Sequence, residues 1–136
     1  MSPQTQRRLF DVVKTSKPTK YGVTVSEAAS AMQKEIRKGD ERAAVYWALV
    51  LAEAAPSYAW KRIMVTAAED VGIGAPDVVA QVYALALGWK MCKDGSWYVS
   101  PHAITLAVML LCRAPKDTTA GLAGGLRPAR YPAFYE

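Results

Sequence analysis

Apolar residues in this chain recur at the three- and four-residue spacing of an α-helix, and no stretch of useful length alternates as a half-buried strand does. Thr24-Val-Ser-Glu27 has the spacing of a capping box, in which hydroxyl and carboxylate each satisfy the other residue's free backbone N–H, and it predicts a helix over 26–38. Gly39 stops that helix. Asp40 caps the next, ERAAVYWALVLAEAA, whose apolar residues run around nearly its whole circumference and predict a central, buried position. Pro56 opens a third helix at a first-turn position, where a missing N–H costs nothing, and Gly72 ends it. Pro76 opens a fourth, PDVVAQVYALALGWKMC, poor in surface residues; Ser100-Pro101 caps a fifth, HAITLAVMLLCR; and Asp117 caps a short last one through TTAGLA.

These elements define an all-α fold, a compact bundle or orthogonal array of about five main helices. Residues 1–25 form a basic leader with one short helix over 4–14, residues 26–125 form the helical domain, and residues 126–136 form an irregular tail rich in glycine, proline and aromatics. At 136 residues this is one domain's length, enough to bury about two-thirds of the surface its unfolded chain would expose. The apolar runs are too short or too interrupted to span a bilayer, and no secretory signal precedes them, which makes the cytosol the expected compartment.

A formal net charge of +5 admits nucleic acid or an acidic partner without requiring either. The cations that would meet phosphates are Arg7, Arg8, Lys14, Lys17 and Lys20 in the leader, with Arg113, Lys116, Arg127 and Arg130 towards the other end. Trp97 and Tyr98, in the turn-forming KDGSWY stretch, and Tyr131, Phe134 and Tyr135 in the tail are the aromatics placed for partner contact. Tyr46, Trp47, Tyr58, Trp60, Tyr83 and Trp89 fall on helices and read as core.

Tests for chemistry return little. Gly72-Ile-Gly74 lacks the preceding strand, the third glycine and the following phosphate-facing helix of a dinucleotide fingerprint, and the chain has no GxxxxGK[ST] loop. Cys92 and Cys112 have no metal-ligand spacing, and the single histidine, His102, reads as a capping or packing residue. No catalytic residue, metal or cofactor is expected. One local arrangement resists a routine reading: WKRIMVTAAEDVGIGAP closes an amphipathic helix on Glu69 and Asp70, at the end where the helix dipole disfavours carboxylates by about 0.3–1 kcal/mol each.

Three ordered stretches, MQKEIRKGDERAAVYWALVLAE, WKRIMVTAAEDVGIGAPDVV and ITLAVMLLCRAPKDTTAGLA, together resemble the C-terminal helical region of the replication-associated recombination protein A family. That family, also called MgsA, comprises AAA+ ATPases related to Werner-helicase-interacting protein. The resemblance covers about residues 26–125 and falls on Arg37, Asp40, Tyr46, Trp47, Arg62, Glu69, Asp70, Gly72, Pro76, Ala114, Pro115 and Lys116. Lys61 stands where the family has the first arginine of a pair, Ala68 replaces a serine, and Lys38-Gly39 replaces Gly-Ser. The ATPase module that precedes this region in the family is not among these 136 residues, although the start Met-Ser-Pro favours a stand-alone chain over a fragment.

The resemblance implies a helical collar that holds ATPase subunits together, commonly as tetramers, on DNA near stalled forks. The expected function is therefore oligomerisation and protein interaction linked to DNA replication, recombination or repair, in the bacterial cytosol or nucleoid or from a phage. The expected partners are further copies of the chain, as a tetramer rather than a dimer, and a full-length AAA+ relative that the chain would modulate. A small non-specific DNA-binding protein is the alternative. On this reading Arg37, Asp40, Arg62, Glu69, Asp70 and Gly72 form a structural clamp: Arg37 or Arg62 supplies charge to the two acids, and Asp70 accepts from backbone N–H groups of the 72–76 turn or the next helix start.

Overall fold

The computed structural model describes residues 16–92 and 101–124. Six α-helices follow in order: α1 (Val25–Lys38), α2 (Glu41–Ala54), α3 (Pro56–Thr66), α4 (Pro76–Cys92), α5 (His102–Arg113) and α6 (Thr119–Gly124). Between α3 and α4 the chain passes through a π-helical turn, Ala67–Val71, and a 3₁₀ turn, Gly72–Gly74. Among the described residues the only β pairing is an isolated bridge between Pro18 and Thr24. The fold is all-α, as the periodicity predicts.

Each boundary has a local cause. Thr24 Oγ1 accepts from the Glu27 N–H at 3.2 Å, as a capping box requires, but the Glu27 carboxylate takes the Thr24 hydroxyl at 3.1 Å instead of returning to the Thr24 N–H. Asp40 caps α2 by accepting from Ala43 N–H at 3.1 Å. Pro56 occupies the first turn of α3, and Asp117 accepts from Thr119 N–H at the start of α6. For α5 the cap falls on Pro101, while the expected Ser100 lies outside the described residues, as does the leader helix over 4–14.

The core is one cluster. Val25, Ala28, Ala29, Met32 and Ile36 of α1 meet Ala44, Ala48 and Leu51 of α2, Ala59, Trp60 and Ile63 of α3, and Ile104, Ala107, Val108 and Leu111 of α5. The alanines let α1, α2 and α5 approach closely, and the larger side chains interlock between them. α2 touches α1, α3 and α5, yet its central burial is incomplete: Tyr46 is 49% exposed. A helix apolar on every side need not be covered on every side when only three neighbours surround it.

The segment before α1 is also part of this body. Thr19 is buried, Val25 N–H donates to Lys17 O at 2.9 Å, and Lys17 Nζ donates to Ala54 O at 2.8 Å. Tyr21 stacks edge-on against Tyr46, which in turn meets Trp47, and the Tyr21 hydroxyl donates to Glu53. Residues 16–24, read from sequence as leader, thus pack on α2.

The candidate site: a buried carboxylate that ties four elements

α1 carries Gln33 and Arg37 one turn apart, so both side chains leave the same face. Gln33 lies within the buried stripe of that helix at 6% exposure, the one polar residue in it. α3 offers Arg62 from the opposite side. The π turn that ends α3 then brings up Glu69 and Asp70, the latter 2% exposed.

The five side chains form one connected network. Arg37 Nε donates to Asp70 Oδ1 at 2.8 Å. The Gln33 amide nitrogen donates both its hydrogens, to Asp70 Oδ2 and to Glu69 Oε2, each at 3.0 Å, while its oxygen accepts from Arg62 Nη2 at 2.6 Å. Only this orientation of the amide works, because the flipped one would aim a carbonyl oxygen at two carboxylates. Arg62 Nε is buried without an acceptor, so the network leaves one donor unsatisfied.

The backbone closes the same joint. Asp70 O accepts from Asp117 N–H at 2.8 Å, which fixes the α5–α6 connection against the π turn. Gly72 has φ +49°, ψ −126°, a region open to glycine alone, and its N–H bonds back to Ala67 O to complete the π turn. A Cβ on Gly74 would stand 2.8 Å from Pro115 O, a backbone atom with no freedom to retreat. Lys116 folds back on α5, donating to Cys112 O at 2.9 Å and Ala114 O at 2.6 Å, and burial holds its pKa below the ordinary lysine value. The stretch Ala114-Pro115-Lys116-Asp117 is therefore the second half of the joint that Glu69 and Asp70 begin.

This geometry answers why acids stand at that helix end. Widening the last turn from α to π carries Asp70 inward onto α1, where Arg37 and Gln33 satisfy both oxygens. The acceptance from the 72–76 backbone expected from sequence does not occur; the donors are side chains of α1. Arg62 reaches the acids only through Gln33, since it lies nearly two turns back along the axis. Asp40 is engaged at the cap of α2 rather than with Asp70. Gln33 went unpredicted, and its signal was a polar residue in an otherwise apolar stripe.

An open recess of about 400 Å³, lined by Arg37, Glu69, Asp70, Thr118, Gly121 and Leu122, lies over the network. Both Asp70 oxygens are already bonded, and Glu69, exposed on the rim, accepts from Gln33 through Oε2. No group of His, Cys, Asp and Glu among the described residues is arranged to hold a metal ion.

The predicted cations divide. Lys17 and Lys116 donate to backbone carbonyls, Lys20 pairs with Glu53, and Arg113 pairs with Glu41, so each described member has an acceptor within the chain. These pairings raise the pKa of Lys20 and Arg113. Arg7, Arg8, Lys14, Arg127 and Arg130 lie outside the described residues, and so do Trp97, Tyr98, Tyr131, Phe134 and Tyr135.

Of the aromatics read as core, Trp60 is 3% exposed, and Trp47, Tyr58 and Trp89 pack against the core partly buried. Tyr83 is 53% exposed. α4 is apolar apart from Asp77, Gln81 and Lys90, yet Val82 is its only buried residue. Tyr83, Leu87 and Met91, spaced at four, form an outward stripe with the exposed Ala80 and Ala84 beside it.

Fold and site together define a helical domain whose polar cluster is a structural tie. Residues 38–125 match the family described as MgsA AAA+ ATPase C terminal, and the chain belongs to that family. Gln33 and Arg37 lie just ahead of the matched stretch, although they complete its network. No curated protein matches the chain. No helix among the described residues is long and apolar enough to cross a membrane.

Proposed function

We propose that this domain acts by association and not by chemistry: copies of the chain meet through the outward stripe of α4, with a tetramer favoured over a dimer. The observation that carries the reading is the exposed apolar stripe Tyr83, Leu87 and Met91 on a helix of which only Val82 is fully covered. Contiguous apolar surface of this kind marks a protein interface, and closed symmetric assemblies are the usual outcome. The Asp70 network supports this role by holding α3, the π turn and the start of α4 in fixed relation, so that the stripe is presented rigidly.

The family's description as the C-terminal part of an AAA+ ATPase supplies the setting. In that setting the domain joins assemblies of an ATP-hydrolysing relative in DNA replication, recombination or repair and modulates them. Light scattering, with the mass read directly, tests the core of the proposal. An assembly of four copies at tens of micromolar is expected, and a monomer at that concentration overturns self-association. Failure of the chain to co-purify with a full-length relative from the same cell removes the modulating role alone.

A further inference from the structure

A second surface lies on the shoulder between α3 and α4. Trp60, Lys61, Met64, Tyr83, Ala86, Leu87, Trp89 and Lys90 line an open recess of about 270 Å³. Its floor and walls are aromatic and aliphatic, with one lysine from each helix and no acidic residue among the lining side chains. Lys61 and Lys90 are exposed and make no ion pair among the described residues, unlike Lys20, Arg37, Lys38 and Arg113, which all do. The chain has 17 basic against 12 acidic side chains, so two unpaired lysines are not by themselves informative. Their placement on an apolar recess is.

Trp60 adds an independent observation. Its indole N–H is buried and has no acceptor among the described residues, and an unpaired buried donor is destabilising. Tryptophan is ordinarily buried with that group bonded. An occupant bringing a carbonyl or carboxylate oxygen to the indole would remove the cost, provided the wall at Trp60 gives slightly, since the atom is covered in the free chain.

We infer that the α3–α4 recess is a docking site for an acidic peptide segment with apolar anchors, on a partner protein. Leucine or phenylalanine side chains of the segment enter between Met64, Tyr83 and Leu87; its carboxylates face Lys61 and Lys90; and one of its oxygens takes the Trp60 N–H. Apolar anchors fix the position, and the charges reject basic segments. The site goes beyond self-association and shares only Tyr83 and Leu87 with the outward stripe.

Fluorescence anisotropy with the labelled peptide Glu-Asp-Leu-Phe-Asp-Leu tests it at low micromolar protein. Binding with Kd on the order of 10–100 µM is expected. Reversal of both lysines, Lys61→Glu with Lys90→Glu, weakens it at least tenfold and creates binding to the counterpart in which lysines replace the acids. That gain keeps the test independent of any loss of folding. In ¹⁵N spectra the indole resonance removed by Trp60→Phe moves downfield when the acidic peptide is added to the unaltered chain. The inference is overturned if a peptide with serine and glycine in place of the apolar residues binds equally well, or if charge reversal changes nothing. Tyr83 and Leu87 belong to both surfaces, so the peptide competes with a second copy and its apparent affinity falls as the protein is concentrated. Assembly mass, read on the charge-reversed protein, stays at the unaltered value and separates this result from failure of the self-association proposal.

Discussion

The middle and the far end of the α3–α4 unit contrast sharply. At the π turn a carboxylate is 2% exposed, both its oxygens are bonded, and its backbone is tied to a second chain segment. Twenty-one residues after Asp70, Met91 is 83% exposed on a helix with few polar side chains. Polar residues are buried where the fold closes, and apolar residues are exposed where it stays open. Burial of a charge demands dedicated partners, so the Asp70 end is specific to this chain's own geometry. An apolar face needs only a complementary surface, which another chain can provide.

The largest expected effect comes from breaking the tie. Asp70→Ala leaves the Gln33 amide and the buried side of Arg37 without their acceptor, and a cost of about 2–3 kcal/mol follows from leaving such donors unpaired. Arg37 is partly solvated and recovers some of that loss in water. Chemical denaturation, with the slope compared between variants, measures it. Gly72→Ala at φ +49° should fall in the same range, because the strain of a non-glycine residue there is of order 1–3 kcal/mol. A null result for both would mean that the joint is held by the surrounding apolar packing alone.

Gln33→Glu sharpens the comparison through pH. The change keeps the shape and removes the amide hydrogens, setting a third carboxylate beside Glu69 and Asp70. At neutral pH the variant is expected to lose about 2 kcal/mol through like-charge contact with the buried Asp70, offset in part by the Arg62 guanidinium that then faces a carboxylate. Crowded carboxylates hold protons more tightly folded than unfolded, so the loss shrinks as pH falls towards the carboxylate range. Equilibrium unfolding at a series of pH values should show a steeper acid recovery than in the unaltered chain. Parallel curves would remove the like-charge account.

How much of this could be read in advance depends on the kind of interaction. Helices came through almost to the residue, because Gly39, Asp40, Pro56 and Pro76 act locally and the 3.6-residue period does the rest. The tie was half legible: Glu69 and Asp70 stood out as acids at a helix end and the family resemblance pointed to Arg37 and Arg62, whereas Gln33 carries no charge and only its place in the apolar stripe of its helix marks it. The π turn was illegible, since its cause is tertiary. Asp70 must reach α1, and the last turn widens to let it. What covers α4 was not legible, because an apolar helix signals the need for a cover without saying which chain supplies it.

At the open end a charge should act on assembly and spare the fold. Leu87→Glu places a carboxylate in the centre of the outward stripe, 42% exposed in the single chain. Exposed substitutions of this kind usually change stability by no more than about 0.5 kcal/mol. Sedimentation should report monomers while the unfolding midpoint of dilute protein holds steady. Assemblies that survive the change would move the interface elsewhere, with the exposed Tyr21–Tyr46 aromatic cluster the next surface to alter.

The two thiols give the smallest and most local reading of the same contrast. Cys112 is buried on α5 beside the Asp70 joint, and burial pushes its pKa up from 9.0 to about 11. The thiolate is the reactive form, so at pH 8 the folded chain should protect Cys112 almost completely, while Cys92, partly exposed at the end of α4, reacts freely. Since the folded state holds the Cys112 proton more tightly, its contribution to stability is whole below pH 9 and declines as pH rises from about 9 to about 11. Alkylation followed by mass spectrometry should show one label added quickly and a second only at the rate of unfolding, a rate that Asp70→Ala increases. Raising protein concentration should slow the Cys92 label alone, because association covers α4 and leaves α5 as it was. Equal labelling of both thiols at neutral pH would show that the joint opens far more readily than its bonding implies.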